Sequence, residues 1–329
     1  MTGQGLRVDA VGRYLPPRVV TAAEMSDLLG VTEDWILKRT GVAERRWVTD
    51  ETPLDMAVAA VNDVVARSED GLDGVDLIIY ASATPHQLIP DTSALLQREL
   101  GLGRTGVKSF SVHTTCLSFF SALDIVAAYM AAGTHRRALV VSAEVGSAGI
   151  DITEPESGAL LGDMATAVLL SANGESGSEL RSLVLKTYGD GADLCRMEAG
   201  FAKHPMKTET KPEDYMFHMD GPKVFALAYE LFPPIVMEAL DRAEVSVSDI
   251  TLVVPHQASL LAVKAIQRAL GVTDEQVILN IDKVGNCVAA SLPGALFDAV
   301  EEKRIERGDT VLLAGTGAGV SMGAAVLTW

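Results

Sequence analysis

Apolar runs that predict strands alternate along the chain with helices of small residues, first in the N-terminal half. A β-branched run at Leu77 to Tyr80 predicts a buried strand, and a second short strand is expected near Lys108 to Val112. A helix of small and apolar residues begins at about Leu117, and Gly133 then precedes a strand at Ala138 to Ser142. This alternation indicates mostly parallel sheets that are covered by helices.

The same order of elements recurs in the C-terminal half. An apolar strand at Leu252 to Val254 leads through a helix to a strand at Val277 to Ile281, and a small-residue helix follows from about Ala289. Gly308 and a strand at Thr310 to Ala314 complete the series. We interpret the recurrence as a duplication.

A polar, Gly/Ser-rich stretch, ANGESGS, separates the two halves at residues 172–178. We therefore expect an N-terminal half at residues 1–173 and a C-terminal half at residues 174–329. The helix that begins near Leu117 is apolar on nearly all sides, which is typical of a helix buried on every face. One such helix in each half fits an α/β sandwich in which helices lie between two sheets.

Composition and charge narrow the class of protein. With 329 residues, 48% of them hydrophobic, the chain can form two packed units. It has no leader pattern and no apolar run of about 18 residues, so we expect a cytoplasmic protein without a membrane partner. Cys116, Cys195 and Cys287 lack CxxC spacing, which argues against a disulfide framework and a metal site. The net charge of −17 disfavours a nucleic-acid partner.

Cys116 lies in HTTCLSFFSAL, after a predicted strand and at the start of the buried helix. A cysteine among apolar residues more often belongs to the core than to a reactive site. A helix N-terminus, however, offers unpaired N–H groups and a partial positive charge, which lower the pKa of a thiol and favour the thiolate. We therefore expect Cys116 to be a nucleophile whose own N–H can stabilise an oxyanion.

Two further polar residues follow predicted strands. His256 in VVPHQAS lies at a strand end where α/β proteins place functional groups, although a histidine there is as often structural as catalytic. Asn286 in KVGNCVAAS is, on its own features, more typical of a turn. The duplicated pattern places Cys116, His256 and Asn286 at the ends of strands that point toward the same interior axis. We therefore expect the three residues to form one site.

The glycine-rich C-terminus, AGTGAGVSMGAAVLTW, follows the last predicted crossover and runs into a strand. A dinucleotide-binding loop would instead follow the first strand and open a helix. The segment therefore indicates a tight turn between antiparallel strands, where the backbone approaches another group closely and can supply a second oxyanion donor.

Several segments resemble motifs of the β-ketoacyl-acyl-carrier-protein synthase III branch of the thiolase superfamily. Besides the cysteine loop, they are TEDWILKRTGVAERRW, LLGDMATAVLL, VPHQAS, GNCVAASLPGAL and GTGAGVSMGAAVL, which are similar to the family's EWI-x-x-RTGI-x-ER, GDGA-x-A, histidine, asparagine and terminal glycine motifs. The likeness covers nearly the whole chain in the expected order. It implies a thiolase-like duplicated fold, an αβαβα layered sandwich with two mixed sheets, and a homodimer.

The resemblance also implies roles for individual residues. Cys116 would be the nucleophile, and His256 and Asn286 would act on the second substrate. The backbone N–H groups of Cys116 and Ala318 would form the oxyanion hole. The remaining binding residues would be Trp35 and Arg39 along the coenzyme A entrance, and Ile89 on a cross-dimer loop.

The implied reaction is a decarboxylating Claisen condensation. An acyl-CoA primer would load Cys116, and malonyl-CoA or malonyl-acyl carrier protein would then supply the enolate that attacks the acyl group. The product is a β-ketoacyl thioester. No cofactor is expected beyond the coenzyme A thioesters themselves, because the thioester carbonyl is the electron sink.

Departures from the family pattern bear on the substrates. Pro155 and Glu156 replace an arginine that clamps the coenzyme A adenine in many members, so Trp35 lacks its stacking partner. Ile89 replaces the bulky aromatic residue of acetyl-selective members, which predicts a primer larger than acetyl. Carrier docking is also in question, because the basic positions used for it are occupied here by Ala226, Leu261, Lys264 and Arg268.

Other functions remain open on the sequence. An acyltransferase of the same fold would pass the acyl group from Cys116 to an alcohol, amine or thiol, but such enzymes often lack the asparagine that is present here as Asn286. Head-to-head condensation of two acyl-CoAs is suggested by CL-x-F and by Leu194-Cys195-Arg196, yet it needs a carboxylate where this chain has Ile89. A non-catalytic paralogue would commonly lose the cysteine.

Overall fold

The computed structural model describes residues 2–172, 177–199 and 211–329, so the predicted boundary at residues 173 and 174 lies outside the described part. The strands are β1 (Thr2–Gln4), β2 (Leu6–Tyr14), β3 (Arg18–Thr21), β4 (Glu44–Trp47), β5 (Leu77–Ala81), β6 (Lys108–Val112), β7 (Arg137–Val145), β8 (Asp163–Ala172), β9 (Glu179–Thr187), β10 (Cys195–Arg196), β11 (His218–Met219), β12 (Leu252–Pro255), β13 (Thr310–Gly317) and β14 (Ser321–Thr328). The α-helices are α1 (Ala22–Leu29), α2 (Glu33–Thr40), α3 (Pro53–Arg67), α4 (Thr92–Glu99), α5 (Ser118–Ala131), α6 (Pro155–Gly158), α7 (Gly221–Ala243), α8 (Leu260–Leu270), α9 (Ile281–Val284) and α10 (Ser291–Glu301).

The described strands form two large mixed sheets. Their orders are β2-β8-β7-β5-β6 and β1-β9-β14-β13-β12. β5 pairs in parallel with β6 and β7, and β12 pairs in parallel with β13, whereas the other neighbours are antiparallel. The expectation of mostly parallel sheets was therefore wrong, because short connections such as the turn between β13 and β14 can join only antiparallel strands.

Three apolar clusters define five layers. α5 and α10 lie between the two sheets and pack against the inner faces of both. α3 and α4 cover the outer face of the first sheet, and α7 and α8 cover the outer face of the second. α5 is apolar on nearly all sides because both of its faces are buried. The layers confirm the predicted αβαβα sandwich.

The two buried helices begin in the same unusual way. Thr115 and Val288 each have a φ of +48°, a strained conformation for β-branched residues, three positions before the first residue of α5 or α10. That first residue is Ser118 in α5 and Ser291 in α10. Each serine hydroxyl accepts a hydrogen bond from the amide four residues before it, at 3.0 and 2.8 Å. The repeated turn supports a duplication.

Some predicted elements differ from the observed ones. Val277 makes only an isolated parallel bridge to Val253, and Ile281 begins the short helix α9, so the predicted strand at Val277 to Ile281 is not a regular one. The apolar residues are buried, but the chain turns at Asn280 before a strand can extend. In the described part of the chain, no helix is both long and apolar enough to cross a bilayer.

Candidate active site

Two glycines of β13 bring the candidate nucleophile close to the candidate histidine. A methyl group added at Gly315 would lie 2.9 Å from His256 Cβ, and one added at Gly317 would lie 3.3 Å from Cys116 Cβ. Alternate residues of a strand lie on the same face about 7 Å apart. Cys116 and His256 therefore pack side by side against one face of β13, where larger residues would displace them.

Cys116 lies in a tight turn between β6 and α5. The preceding residue, Thr115, has the positive φ, and its hydroxyl donates to the carbonyl oxygen of Ala318 at 3.1 Å. The backbone N–H groups of Ala318 and of Cys116 itself lie near the sulfur and lower the pKa of its thiol. Two backbone N–H groups from different loops therefore lie near the candidate nucleophile, and their action as an oxyanion hole stays a prediction.

Burial dominates the electrostatics of the Cys116 thiol. It raises the pKa of the thiol to about 12, and the nearby Cys195 and Glu144 raise it further, whereas the two N–H donors lower it. The expectation of a lowered pKa was wrong, because the loss of water around the sulfur outweighs the favourable dipoles at the start of α5. The free thiol is therefore protonated at neutral pH.

His256 follows β12 directly and is 2% exposed. Its amide donates to Ala314 O of β13 at 2.7 Å, which holds it against that strand. The next residue, Gln257, anchors the turn by donating to Pro255 O at 3.0 Å and to Ile278 O at 3.2 Å. Burial lowers the pKa of His256 to about 4, so the imidazole is neutral at physiological pH.

Asn286 is held on both its backbone and its side chain. Its amide donates to Leu160 O at 2.8 Å, and its carbonyl oxygen accepts from Gly162 N–H at 3.0 Å. Its Oδ1 accepts from Val288 N–H at 2.9 Å, which leaves Nδ2 to donate weakly to Ala258 O at 3.4 Å. Because Ala258 lies two residues after His256, the amide is adjacent to the histidine turn and can offer its second N–H to a ligand.

The structure places the three other predicted binding residues on the surface or close to it. Trp35 is half-buried on α2 within the small cluster that contains Trp47. Arg39 forms an ion pair with Glu156 at 2.6 Å, both side chains being well exposed. Ile89 is 83% exposed on the loop between β5 and α4. None of these contacts joins them to the Cys116 site.

Sequence reasoning missed several residues that shape the site. Gln257 stands beside His256 in the motif and could have been identified from that position. Thr115, with its positive φ, and the fully buried Glu144 carry no sequence signal that distinguishes them from ordinary turn and strand residues. A surface cavity of about 470 Å³ lies elsewhere, against Thr52 and His86 among others.

The chain matches two family descriptions. They are "3-Oxoacyl-[acyl-carrier-protein (ACP)] synthase III" over residues 110–189 and the C-terminal part of that family over residues 240–329. The matched segments contain Cys116, His256, Asn286 and Ala318.

Similar proteins and structures carry related names. The chain is 34% identical to "Beta-ketoacyl-[acyl-carrier-protein] synthase III" from Solibacter usitatus, with 98% of each chain covered, and 36% identical to the protein of that name from Rhodospirillum centenum, with 97% of each covered. A Thermus thermophilus synthase III structure matches with a TM-score of 0.90, 36% identity and 98% of each chain covered. The priming β-ketosynthase of the R1128 polyketide pathway matches with a TM-score of 0.90 and 30% identity over 99% of this chain and 97% of that one. The chain therefore belongs to the 3-oxoacyl-[acyl-carrier-protein] synthase III family, which has the thiolase-like fold that its motifs predicted.

Proposed function

We propose that this chain joins an acyl-CoA primer to a malonyl thioester by decarboxylating Claisen condensation, with Cys116, His256 and Asn286 as its catalytic residues. As a member of this family it is a condensing enzyme of the acyltransferase class, as the sequence predicted. The observation that supports the residue roles is the packing of Cys116 and the buried His256 against two glycines, Gly317 and Gly315, on one face of β13.

The first half-reaction loads the enzyme. The Cys116 sulfur attacks the thioester carbonyl, the C–S bond to coenzyme A breaks, and the thiol proton leaves with the coenzyme A sulfur. In this proposal, the N–H groups of Cys116 and Ala318 hold the negative oxygen of the tetrahedral intermediate. Because the thiol starts out protonated, proton removal contributes to the barrier of this step.

The second half-reaction forms the new carbon–carbon bond. The malonyl carboxylate leaves as carbon dioxide, and its bonding electrons pass into the thioester as an enolate. The N–H of neutral His256 and the available Nδ2–H of Asn286 donate to the enolate oxygen. The enolate carbon then attacks acyl-Cys116, and the released thiolate takes up a proton. The thioester carbonyl accepts the electrons, so the reaction uses no metal or redox cofactor.

The identities of the primer and of the carrier of the extender are part of the proposal. Arg39 is already paired with Glu156, and Lys264 is paired with Asp274 at 2.6 Å, so both offer less positive charge to an anionic partner. These ion pairs support the prediction that the basic surface available for docking a carrier protein is weak. We further propose that Ile89 contributes to primer selection and that the primer is larger than acetyl.

We also infer a homodimer. Leu88 and Ile89, two large apolar residues, are 67% and 83% exposed at the tip of one loop, an arrangement that a second copy of the chain could cover. The molecular mass in dilute solution tests this inference. A dimer that Ile89→Asp converts to a monomer would support it, and a wild-type monomer would contradict it.

Separate assays of the two half-reactions test the catalytic roles. Asn286→Asp keeps an oxygen that can accept from Val288 N–H but replaces the Nδ2 donor. We expect this variant to acylate at nearly the wild-type rate and to condense about 10²- to 10³-fold more slowly. Cys116→Ala should not acylate at all. Equal condensation by Asn286→Asp and wild type would contradict the proposed role of the amide.

A further inference from the structure

Thr115, the residue directly before Cys116, carries a hydroxyl group that the reaction above does not use. Its φ of +48° is a left-handed conformation, which is unfavourable for a β-branched residue. Val288 has the same φ at the corresponding position of the turn before α10. Since valine has no hydroxyl, the turn does not require one for its own conformation. The Thr115 hydroxyl is therefore available for a separate role.

The hydroxyl reaches the turn between β13 and β14. Thr115 Oγ1 lies 3.1 Å from Ala318 O and 2.8 Å from Thr114 O, so its proton can be shared between these two carbonyl oxygens. Thr114 belongs to the same turn as Thr115, whereas Ala318 lies 203 residues away in the sequence. The contact with Ala318 therefore joins the N-terminal half of the chain to the C-terminal half.

The end of β13 packs closely around this contact. A methyl group added at Gly317 would lie 3.1 Å from Thr115 Oγ1 and 3.3 Å from Cys116 Cβ. Both distances are shorter than the 3.5 to 4.0 Å of a favourable contact between carbon atoms, so a side chain at this position would displace the nucleophile turn. The hydroxyl thus lies directly against the strand end that leads into Ala318.

The far side of the same turn is fixed by another segment. Val320 accepts a hydrogen bond from Tyr188 N–H at 2.8 Å and donates one to Tyr188 O at 3.1 Å. On the near side, Gly317 is the last residue of β13. Ala318 lies between these two fixed points, and Thr115 holds its carbonyl oxygen. Because peptide groups are planar, restraining the groups on both sides of Ala318 also fixes the direction of its N–H.

We propose that Thr115 is a positioning residue, whose hydroxyl holds the Ala318 turn against the Cys116 turn and thereby directs the Ala318 N–H at the oxyanion. This inference rests on the proposed function, because Ala318 acts as an oxyanion donor only in that reaction. Donors that are already oriented stabilise a developing negative charge most effectively, since they need not reorganise as the charge forms. Without the Thr115 hydrogen bond, the turn would have to be ordered in each reaction.

The test compares Thr115→Val with Thr114→Val in the full-length protein. Valine keeps the β-branched shape and removes only the hydroxyl, and Val288 shows that the fold accommodates valine in this turn. Thr114 provides the matched control, because its hydroxyl hydrogen-bonds to Ser121 of α5 at 2.6 Å, within the same half of the chain. Thr115→Ser restores the hydroxyl and tests whether it rescues the activity.

The first readout is single-turnover acylation by an acyl-CoA. Removing an oxyanion donor slows a reaction by about 10²- to 10³-fold, and a donor that is only loosened should have a smaller effect. We expect Thr115→Val to lower the maximal rate of acylation about 5- to 20-fold and to leave the half-saturating acyl-CoA concentration within about twofold. Thr115→Ser should return to within about threefold of wild type, and Thr114→Val should stay within about twofold. A wild-type maximal rate in Thr115→Val would overturn the proposal.

Alkylation of Cys116 by iodoacetamide separates an effect on the donor from an effect on the nucleophile. Alkylation displaces iodide at a saturated carbon and forms no oxyanion, so it does not depend on the Ala318 N–H in this role. We expect Thr115→Val to be alkylated at a rate within about twofold of wild type. If acylation and alkylation fell by the same factor, Thr115 would act on the nucleophile itself, and the proposal would be wrong.

Hydrogen exchange, followed by mass spectrometry, tests the contact itself. The peptide that contains Ala318 should exchange faster in Thr115→Val than in wild type, because one of the restraints on the turn is lost. The same peptide should be unchanged in Thr114→Val. If Thr115→Val does not fold, Thr115→Ala takes its place in all three measurements. Unchanged exchange in the Thr115 variant would contradict the proposed contact.

These measurements distinguish this inference from the proposed function. If acyl-CoAs load wild type and Thr115→Val equally well, the positioning role is rejected and the proposed function stands. If no acyl-CoA loads wild type, the proposed function is rejected, and hydrogen exchange decides whether Thr115 holds the Ala318 turn. In that case faster exchange in Thr115→Val would support the contact, and unchanged exchange would overturn it.

Discussion

The packing of His256 and Cys116 against two glycines of β13 predicts how each half-reaction responds to one added methyl group. In Gly315→Ala, the new Cβ would lie 2.9 Å from His256 Cβ and 3.1 Å from Leu117 Cδ2. Carbon atoms in favourable contact lie about 3.5 to 4.0 Å apart, so His256 and the strand must separate by roughly 0.7 Å. Gly315 does not have a positive φ, so alanine adds no backbone strain there.

The displacement should slow condensation selectively. A shift of about 1 Å in a catalytic group can cost about 10²-fold in rate, so we expect a 10- to 100-fold loss, equivalent to about 1.4 to 2.7 kcal/mol of transition-state stabilisation. Acylation of Cys116 does not use His256 in the proposed mechanism and should change by less than about threefold. Overpacking should also destabilise the fold by about 1 to 3 kcal/mol.

Gly317→Ala is the matched comparison. Its new Cβ would lie 3.3 Å from Cys116 Cβ and 3.1 Å from Thr115 Oγ1, so it disturbs the nucleophile instead of the histidine. Single-turnover assays should show slower acylation for Gly317→Ala and slower discharge by malonyl thioester for Gly315→Ala. Gly103→Ala, where the nearest atom would be 3.6 Å away, controls for a glycine substitution that requires no displacement. Equal losses in both half-reactions for Gly315→Ala, or no loss in either, would refute this reasoning.

Three further predictions concern stability and substrate charge. Because the pKa of His256 is lowered in the folded state, the unfolded chain binds a proton at this residue below about pH 6.5, and the folded chain does so only below about pH 4. Between pH 7 and pH 5, the free energy of unfolding measured by chemical denaturation should therefore fall by about 2 kcal/mol more in wild type than in His256→Asn. Equal losses would contradict the burial of a neutral imidazole. Arg45 is fully buried, and two of its nitrogens have no hydrogen-bond partner among the residues that the structure describes. Arg45→Met should therefore raise the free energy of unfolding by about 1 to 3 kcal/mol, whereas a large loss of stability would show that the cation has a partner. Glu156→Gln should free Arg39 and lower the KM for an acyl-CoA by about two- to fivefold at low salt, and an unchanged KM would separate Arg39 from the coenzyme A entrance.

Much of the architecture could be predicted because strand ends and buried helices leave a local pattern. His256 follows β12 and Cys116 precedes α5 as expected, since a strand bounded by turn residues and a helix apolar on all sides are readable in the sequence. The turn after Val277 could not be predicted, because the apolar run at residues 277–281 is as compatible with a buried irregular segment as with a strand.

The electrostatics of the site could not be predicted from position alone. The start of α5 suggested a thiolate, but the pKa of Cys116 depends on how completely the surrounding layers remove water from the sulfur. Likewise, Glu144 is one polar residue in an apolar strand, and only the tertiary structure shows that Ala83 and Thr84 direct their N–H groups at it. Such properties arise from contacts between segments that are distant in the chain.

The most direct test of the central claim follows the fate of the acyl group on Cys116. The enzyme is loaded with an acyl-CoA, freed of excess donor and mixed with a malonyl thioester, and intact-mass spectrometry is combined with product detection. The account predicts an acyl adduct on Cys116 that disappears as carbon dioxide and a β-ketoacyl thioester form in equal amounts. An adduct that malonyl thioester leaves intact, but that an alcohol, amine or thiol removes, would contradict condensation and identify an acyltransferase of the same fold.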